Sequence, residues 1–463
     1  MNIRHLLLPA VLFAFASGCD SMLNVQPTEE VADENAIVDA VSARSALAGA
    51  YDALQEDYYY AEPIITVNEL SSDNAIHSGT FTSYVEADDN RLTAHNDHAQ
   101  HYWEDVYMGI GRANNLIAKV PPVAGLSDAE KDQIIGEALF LRALHYHNLV
   151  KHYAGVPLRL TPVTDITEAS NATRASVAEV YTQILADLAQ AEGLMTSVDD
   201  TRSGSLGGVR ALRARVLLYR ASPGPTGSNA SGTWAEVEAA AASVIGMTSS
   251  YGLAAGYSDL FGPTGGNTSE DIFRVRFTDQ YANSIGYYFR MKSIGGRYEL
   301  APTASIRNAY EAGDERGTWS VKPAPDQDDP RFYISKFPTV AGTEHPHVIR
   351  LAEIYLIRAE ARAMQGNFAG AVDDYNLLRL RAGLAPHVLG VDVLATEADV
   401  MAAVRRERRV ELAFEGDRWP DLVRSNLAVS VMGLDDRPFQ VLYPIPQSER
   451  DVTTPPLEQN PGY

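Results

Sequence analysis

Cysteine is almost absent from this chain of 463 residues: Cys19 is the only one, so no disulfide can form within it. Basic charge is short as well. Lysine and arginine number 38 against 60 aspartates and glutamates, a formal net charge of -22. That balance does not suit a surface that must neutralise a phosphate backbone, and nucleic acid is set aside as a partner. Long apolar runs are missing too. The first, Leu6 to Ala16, covers about eleven residues, whereas a bilayer-crossing helix takes roughly 20, so it does not read as a permanent transmembrane anchor. No phosphate-cradling glycine loop, Ser-His-Asp signature or cofactor motif stands out, and no cofactor is expected. Metal-ligand spacing is incomplete. His95, His98 and His101 share a face only if their segment is helical, and "DQDD" at 326–329 reads as a solvated loop. No metal is expected either.

What is present begins with the surroundings of Cys19. Arg4 and His5 precede the apolar run, and the small residues Ala16, Ser17 and Gly18 close it. That order is a secretory signal, and with Cys19 directly behind it the junction resembles that of bacterial lipoproteins, whose cysteine thiol receives a diacylglyceryl group. Two or three acyl chains anchor stably where one does not. Residues 1–18 are therefore expected to be a lipoprotein signal peptide, Cys19 the lipidation site, and 19–33 a lipid-proximal tether with no sustained period. A plain secretory signal with a chance cysteine is the rival reading.

Apolar content of 45% with 9% aromatics fits a folded globular body. Apolar residues recur at three and four spacing within 34–55, 100–118 and 177–194, with further candidates at 128–152, 207–221, 234–247, 348–365, 368–382 and 397–414. These are amphipathic helices. Strand signals are few and short, such as "DIFRVRF" at 271–277. The class is mainly α. In the stretch from Arg350 to Leu384, Tyr355, Ala359, Gly366, Ala371, Tyr375 and Leu378 occupy the positions of a tetratricopeptide-type hairpin. The two alanines let helices approach, and Gly366 permits the turn that Asn367 continues. The body reads as a helical-repeat scaffold of about four helix pairs with long insertions.

Charge chemistry concentrates in "RRERRVELAFEGDRWPDLVR" at 405–424. Val400, Val404, Glu407, Glu411 and Phe414 advance by four, three, four and three, which places both glutamates on the inward stripe. Two inward carboxylates invite a glycosidase reading. Arg405, Arg406, Arg408, Arg409, Arg418 and Arg424 lie around them in sequence, and a guanidinium within reach lowers a carboxyl pKa. A general acid needs the opposite shift, so a salt-bridge network is favoured over a secreted glycan hydrolase using Glu407 and Glu411.

The same stretch resembles the C-terminal signature of the RagB/SusD family of nutrient-uptake outer-membrane lipoproteins. "LYPIPQSERDVTTPPLEQNPGY" at the end is similar to the family's closing segment, and "HYWEDVYMGIGRANNLI", "GEALFLRALHYHNLVKHYAGVPL" and the hairpin at 351–384 extend the resemblance over nearly the whole mature chain. "TTPP" at 453–456 departs from the usual Asn-Pro step. The resemblance implies a single SusD-like body over 34–463. Its helical repeats occupy 34–248 and 348–424, a loop-rich ligand-binding insertion carrying short strands fills 249–347, and an irregular tail covers 425–463. It further implies a lipid-anchored, cell-surface outer-membrane protein without catalytic residues, which captures an oligosaccharide or other nutrient and delivers it to a SusC-like TonB-dependent transporter.

Sugar recognition needs flat aromatic faces and planar polar groups. Two insertions carry both: "ELSSDNAIHSGTFTSYVEADDNR" at 69–91 and "YANSIGYYFRMKSIGGRYEL" at 281–300. Asp73, Asn74, Tyr84, Tyr287, Tyr288, Arg297 and Tyr298 are the candidates, with Trp319 next. Tyr298 is expected to supply a stacking face and Arg297 a forked donor. Core packing is the commoner fate of such tyrosines, and Trp103 and Trp419 are assigned to the core.

Overall fold

A computed structural model of the chain describes residues 36–463 apart from 166, 168–169, 226–231, 262–266 and 394. The expected signal peptide and tether lie outside the described residues. The body is mainly helical, in a tetratricopeptide-like arrangement. In chain order the principal helices are α1 (Ala40–Asp52), α2 (Pro63–Leu70), α3 (Thr82–Asp88), α4 (Asp97–Lys119), α5 (Asp128–Tyr153), α6 (Val177–Leu194), α7 (Leu206–Ala221) and α8 (Trp234–Ile245). Beyond the insertion come α9 (Ile285–Phe289), α10 (Ala304–Ala309), α11 (Glu315–Ser320), α12 (Leu351–Met364), α13 (Phe368–Arg381), α14 (Glu397–Leu412) and α15 (Arg418–Arg424). Capping boxes start several of them: Ser127 with Glu130, Ser176 with Glu179 and Thr233 with Glu236. Each satisfies two backbone donors that a helix start would otherwise leave orphaned.

Helices adjacent in sequence pack on one another, α4 on α5, α5 on α6 and α7 on α8, while α12 packs on α8, α13 and α14. At the α12–α13 turn Gly366 has φ of +78°, a left-handed backbone that glycine enters at little cost, and Asn367 caps α13 through the Gly370 N–H at 3.1 Å. Ala359 and Ala371 are fully buried where the two helices meet, and Trp103 and Trp419 are buried too.

Two departures from the periodicity have local causes. The helix expected from 348 begins at Leu351, because His347–Arg350 forms β6 against β2 (Asp271–Arg274). Helix α2 escapes periodicity altogether, since all eight of its residues are buried and no polar face marks it. The segment 425–463 is not wholly irregular. It holds the short helices Ala428–Met432 and Gln447–Val452, and its end is tied down by Asn460 Nδ2 donating to the Tyr443 and Tyr153 carbonyls. In "TTPP" the Thr454–Pro455 peptide is cis.

Among the described residues, strands β1 (Ala75–His77), β3 (Leu300–Pro302), β4 (Val321–Pro323) and β5 (Phe332–Ile334) complete three two-stranded sheets, β1–β3, β2–β6 and β4–β5. The first matters most for function. Its antiparallel register pairs Ala75 with Pro302, Ile76 with Ala301 and His77 with Leu300. This joins the segment after α2 to the segment after α9, more than 200 residues apart in the chain.

Candidate functional site

The β1–β3 pairing turns the two candidate insertions into one surface. Beyond β1 the chain continues against the other insertion, with the Ser78 N–H donating to the Glu299 carbonyl at 2.8 Å and Ser78 Oγ donating to the Tyr298 carbonyl at 2.9 Å. The Arg297 and Glu299 N–H groups donate to the carbonyls of Tyr287 and Tyr288 at 2.7 and 2.8 Å, folding 297–299 back onto α9. On this frame Phe81 meets Tyr288 edge-on at 5.7 Å between ring centres, Tyr288 adjoins Tyr287 at 5.5 Å, and the Arg297 guanidinium lies 3.8 Å over the Phe81 ring. Tyr287 is 38% exposed, so one aromatic face of the set is open to solvent. Next to it a cavity of about 320 Å³ is lined by Ser78, Lys292, Ser293, Asp326, Asp329 and Arg331, with Tyr298 at its wall. Aromatic faces beside hydroxyls, carboxylates and guanidiniums are a surface that a polyol can both stack on and hydrogen-bond to.

The structure brings Tyr287, Tyr288 and Arg297 together there and withdraws other candidates. Tyr84 is buried, donating to Glu62 Oε1 at 2.5 Å and stacked on His98. Asn74 is fully buried between Glu69 and Arg409. Asp73 is paired with Arg418 at 2.8 Å and Arg409 at 3.0 Å, and these cations overcome its burial to hold the carboxyl below its ordinary value. It is a strut between the insertion and α14–α15. Tyr298 does not offer the stacking face expected of it. Its ring packs among Met291, Ala301, Ala324 and Tyr333, Arg331 covers it at 5.4 Å, and its hydroxyl is spent on the Phe332 carbonyl. Trp319 sits apart, against the cluster of Ala254, Tyr257, Leu260 and Phe261. Phe81, Thr80 and Glu299 belong to the site although sequence reading passed over them, because their partners lie more than 200 residues away.

The histidines do not form a set: His95 precedes α4, while His98 bonds Ser83 Oγ at 3.0 Å. Among the described residues no group of His, Cys, Asp or Glu is placed to hold a metal ion. In the acidic loop Asp329 is taken up by Arg331, and Asp326 accepts from the Asp328 N–H.

Glu407 and Glu411 do point inward, and both are buried. Their cations are not the sequence-adjacent arginines, which lie on other faces of the helix. Arg316 reaches Glu407 at 2.5 Å and Glu411 at 3.2 Å, Arg350 reaches Glu411 at 2.5 Å, Arg381 also pairs with Glu411, and Arg379 lies 3.5 Å from Glu407. Meanwhile Arg408 pairs with Asp417 and Asp421, and Arg424 with Glu360. The two carboxyls differ: burial is the largest influence on each, and it wins at Glu407, whose pKa rises, whereas Arg381, Arg350 and Arg316 overcome it at Glu411 and hold that group well below its ordinary value. Neither is open to a substrate.

Two other buried acids lie at the start of α2 and in its last turn. Burial pushes Glu62 up to about 7 against the hydroxyls of Thr66 and Tyr84, and pushes Glu69 up to about 7 against Asn74 and the Gly416 N–H. A raised folded pKa contributes stability that is fully present below the unfolded value near 4.5 and is lost as pH climbs through about 7. Each should therefore cost on the order of 3 kcal/mol by pH 8. Melting temperature measured from pH 5 to 8 should fall, and Glu69→Gln should flatten that fall. An unchanged slope in the variant would remove Glu69 as its source.

Known families match this arrangement. The family model described as "SusD family" matches residues 331–441, and one described as "Starch-binding associating with outer membrane" matches 19–204. Over both stretches the chain is similar to proteins of the RagB/SusD family. Among its relatives, the SusD-like protein P38 of Formosa agariphila is 26% identical, over 100% of this chain and 99% of that one. A SusD superfamily protein from Bacteroides vulgatus shares the fold with a TM-score of 0.80 at 19% identity, covering 92% of this chain and 99% of its own. A laminarin-binding SusD-like protein superposes with a TM-score of 0.77 at 25% identity, covering 92% of this chain and all of its own.

Proposed function

We propose that the protein is a non-catalytic binding lipoprotein of the cell surface. It captures an oligosaccharide on the joined 69–91 and 281–300 surface and passes it to a SusC-like TonB-dependent transporter. The observation that carries this reading is the meeting of the two insertions through β1 and β3, which sets exposed Tyr287 beside Tyr288 and Arg297. The laminarin-binding relative supports a glycan as ligand, and the family description supports placement at the outer membrane. Burial and ion pairing of Glu407 and Glu411 speak against a hydrolase.

Incubating the purified protein with a panel that includes laminarin and amylopectin tests the reading. Binding of a glycan without shortened products is expected, and turnover would sink it. Anchoring is tested separately. Cys19→Ala should give soluble or unprocessed protein with no acyl mass, and a wild-type mature protein that starts elsewhere without acyl chains would refute the lipid anchor.

A further inference from the structure

Glu299 is a buried acid at the capture surface, and its side chain touches both insertions. Its carboxylate accepts Arg297 Nε at 2.7 Å through Oε1, and the backbone N–H groups of Thr80 at 2.9 Å and Phe81 at 3.2 Å through Oε2. His77 Nε2 lies 3.4 Å from Oε2. The side chain is 1% exposed, whereas that of its partner Arg297 is 34% exposed. One oxygen thus holds the turn after β1, and the other aims a half-exposed guanidinium across the Phe81 ring. The turn is shaped around this carboxylate: a Cβ on Gly79 would fall 2.1 Å from Glu299 Oε2. Although burial works against ionisation, Arg297 and the two N–H groups outweigh it and keep the group below its ordinary value.

We infer that Glu299 is a positioning residue for ligand capture, a latch that locks the 78–81 turn to the 297–300 segment and presets Arg297 beside Phe81 and Tyr287. The inference rests on the reading of this surface as the glycan site. Its physical reason is preorganisation: a guanidinium and a turn already held in the bound geometry lose less freedom when the ligand arrives. The carboxylate makes charge-assisted hydrogen bonds on both oxygens, and those are the strong kind. It does not itself face the ligand, so it acts through Arg297 and the loop.

Two variants separate this role from simple support of the fold. Glu299→Ala removes the acceptor of the Thr80 and Phe81 amides, whose hydrogen exchange, read without any ligand, should quicken about tenfold or more while the helices keep their protection. Glu299→Gln keeps the size but presents one acceptor oxygen where two were used. Its affinity for whichever of laminarin and amylopectin the wild type binds should fall roughly tenfold. In combination with Arg297→Ala it should cost no more than Arg297→Ala alone, because both remove one preset donor. Unchanged amide exchange in Glu299→Ala would overturn the latch. Lost binding in Arg297→Ala with full binding in Glu299→Gln would overturn it too, while sparing the capture site. If Arg297→Ala itself binds as the wild type does, the capture reading fails, and the inference with it.

Discussion

Glu411→Ala is expected to destabilise the folded body by about 3 to 5 kcal/mol and to leave the glycan affinity of the folded fraction unchanged. Glu411 is fully buried and is the common partner of Arg316, Arg350 and Arg381. Removing it leaves three guanidiniums out of water with a shortened set of anions. Each keeps others, Asp314 and Glu407 for Arg316, Glu270 and Glu415 for Arg350, and Glu270 for Arg381, but Glu270 and Glu415 are then asked to serve more positive charge than they balance. The cost follows from stranding a cation rather than from losing a favourable pair. Denaturant titration gives the stability, and calorimetry with a bound glycan gives the affinity. A melting curve like the wild type's combined with lost activity would restore the catalytic reading of this pair.

The second large effect is at the surface. Replacing Tyr287 and Arg297 together by alanine should weaken glycan binding by on the order of 2 kcal/mol or more, roughly thirtyfold, as truncation of a central aromatic and its arginine does at other interfaces. Melting should barely move in Tyr287→Ala, whereas losing Arg297 leaves the buried Glu299 carboxylate with the Thr80 and Phe81 amides and adds a local cost. Tyr287 is open to solvent and Arg297 half so, and neither supports the helical core. Arg297 does hold Glu299, so Tyr287→Ala alone serves as the cleaner test of stacking. Retained affinity in both variants would move the ligand elsewhere, for example to the groove between α6, α7 and α8 lined by Arg210, Arg213 and Glu236.

The helices were legible because most bury one stripe and expose the rest; periodicity places α4, α5, α6 and α7 within a few residues of their observed ends. It is silent on α2, which is buried all round, and it overruns at 348, where the pairing of β6 with distant Asp271–Arg274 decides the backbone. The same limit governs the site. Composition singled out the two insertions, but their joining depends on β1 meeting β3, a contact that no local pattern announces. Tyr298 and Tyr287 look alike in "IGYYFRMKSIGGRYEL", yet a hydroxyl bond to Phe332 and the Arg331 guanidinium bury one ring while the other stays open. Choosing between them needs the fold. The arginines around Glu411 make the same point, since the helix turns its sequence neighbours away and the partners arrive from α11, β6 and α13.

Hydrogen exchange of the intact protein with and without a glycan that it binds tests the central claim most directly. If the joined insertions are the capture surface, added protection should concentrate at residues 78–81 and 285–299, with α6, α7 and α8 unchanged. Protection on those helices with none in either insertion would contradict the account.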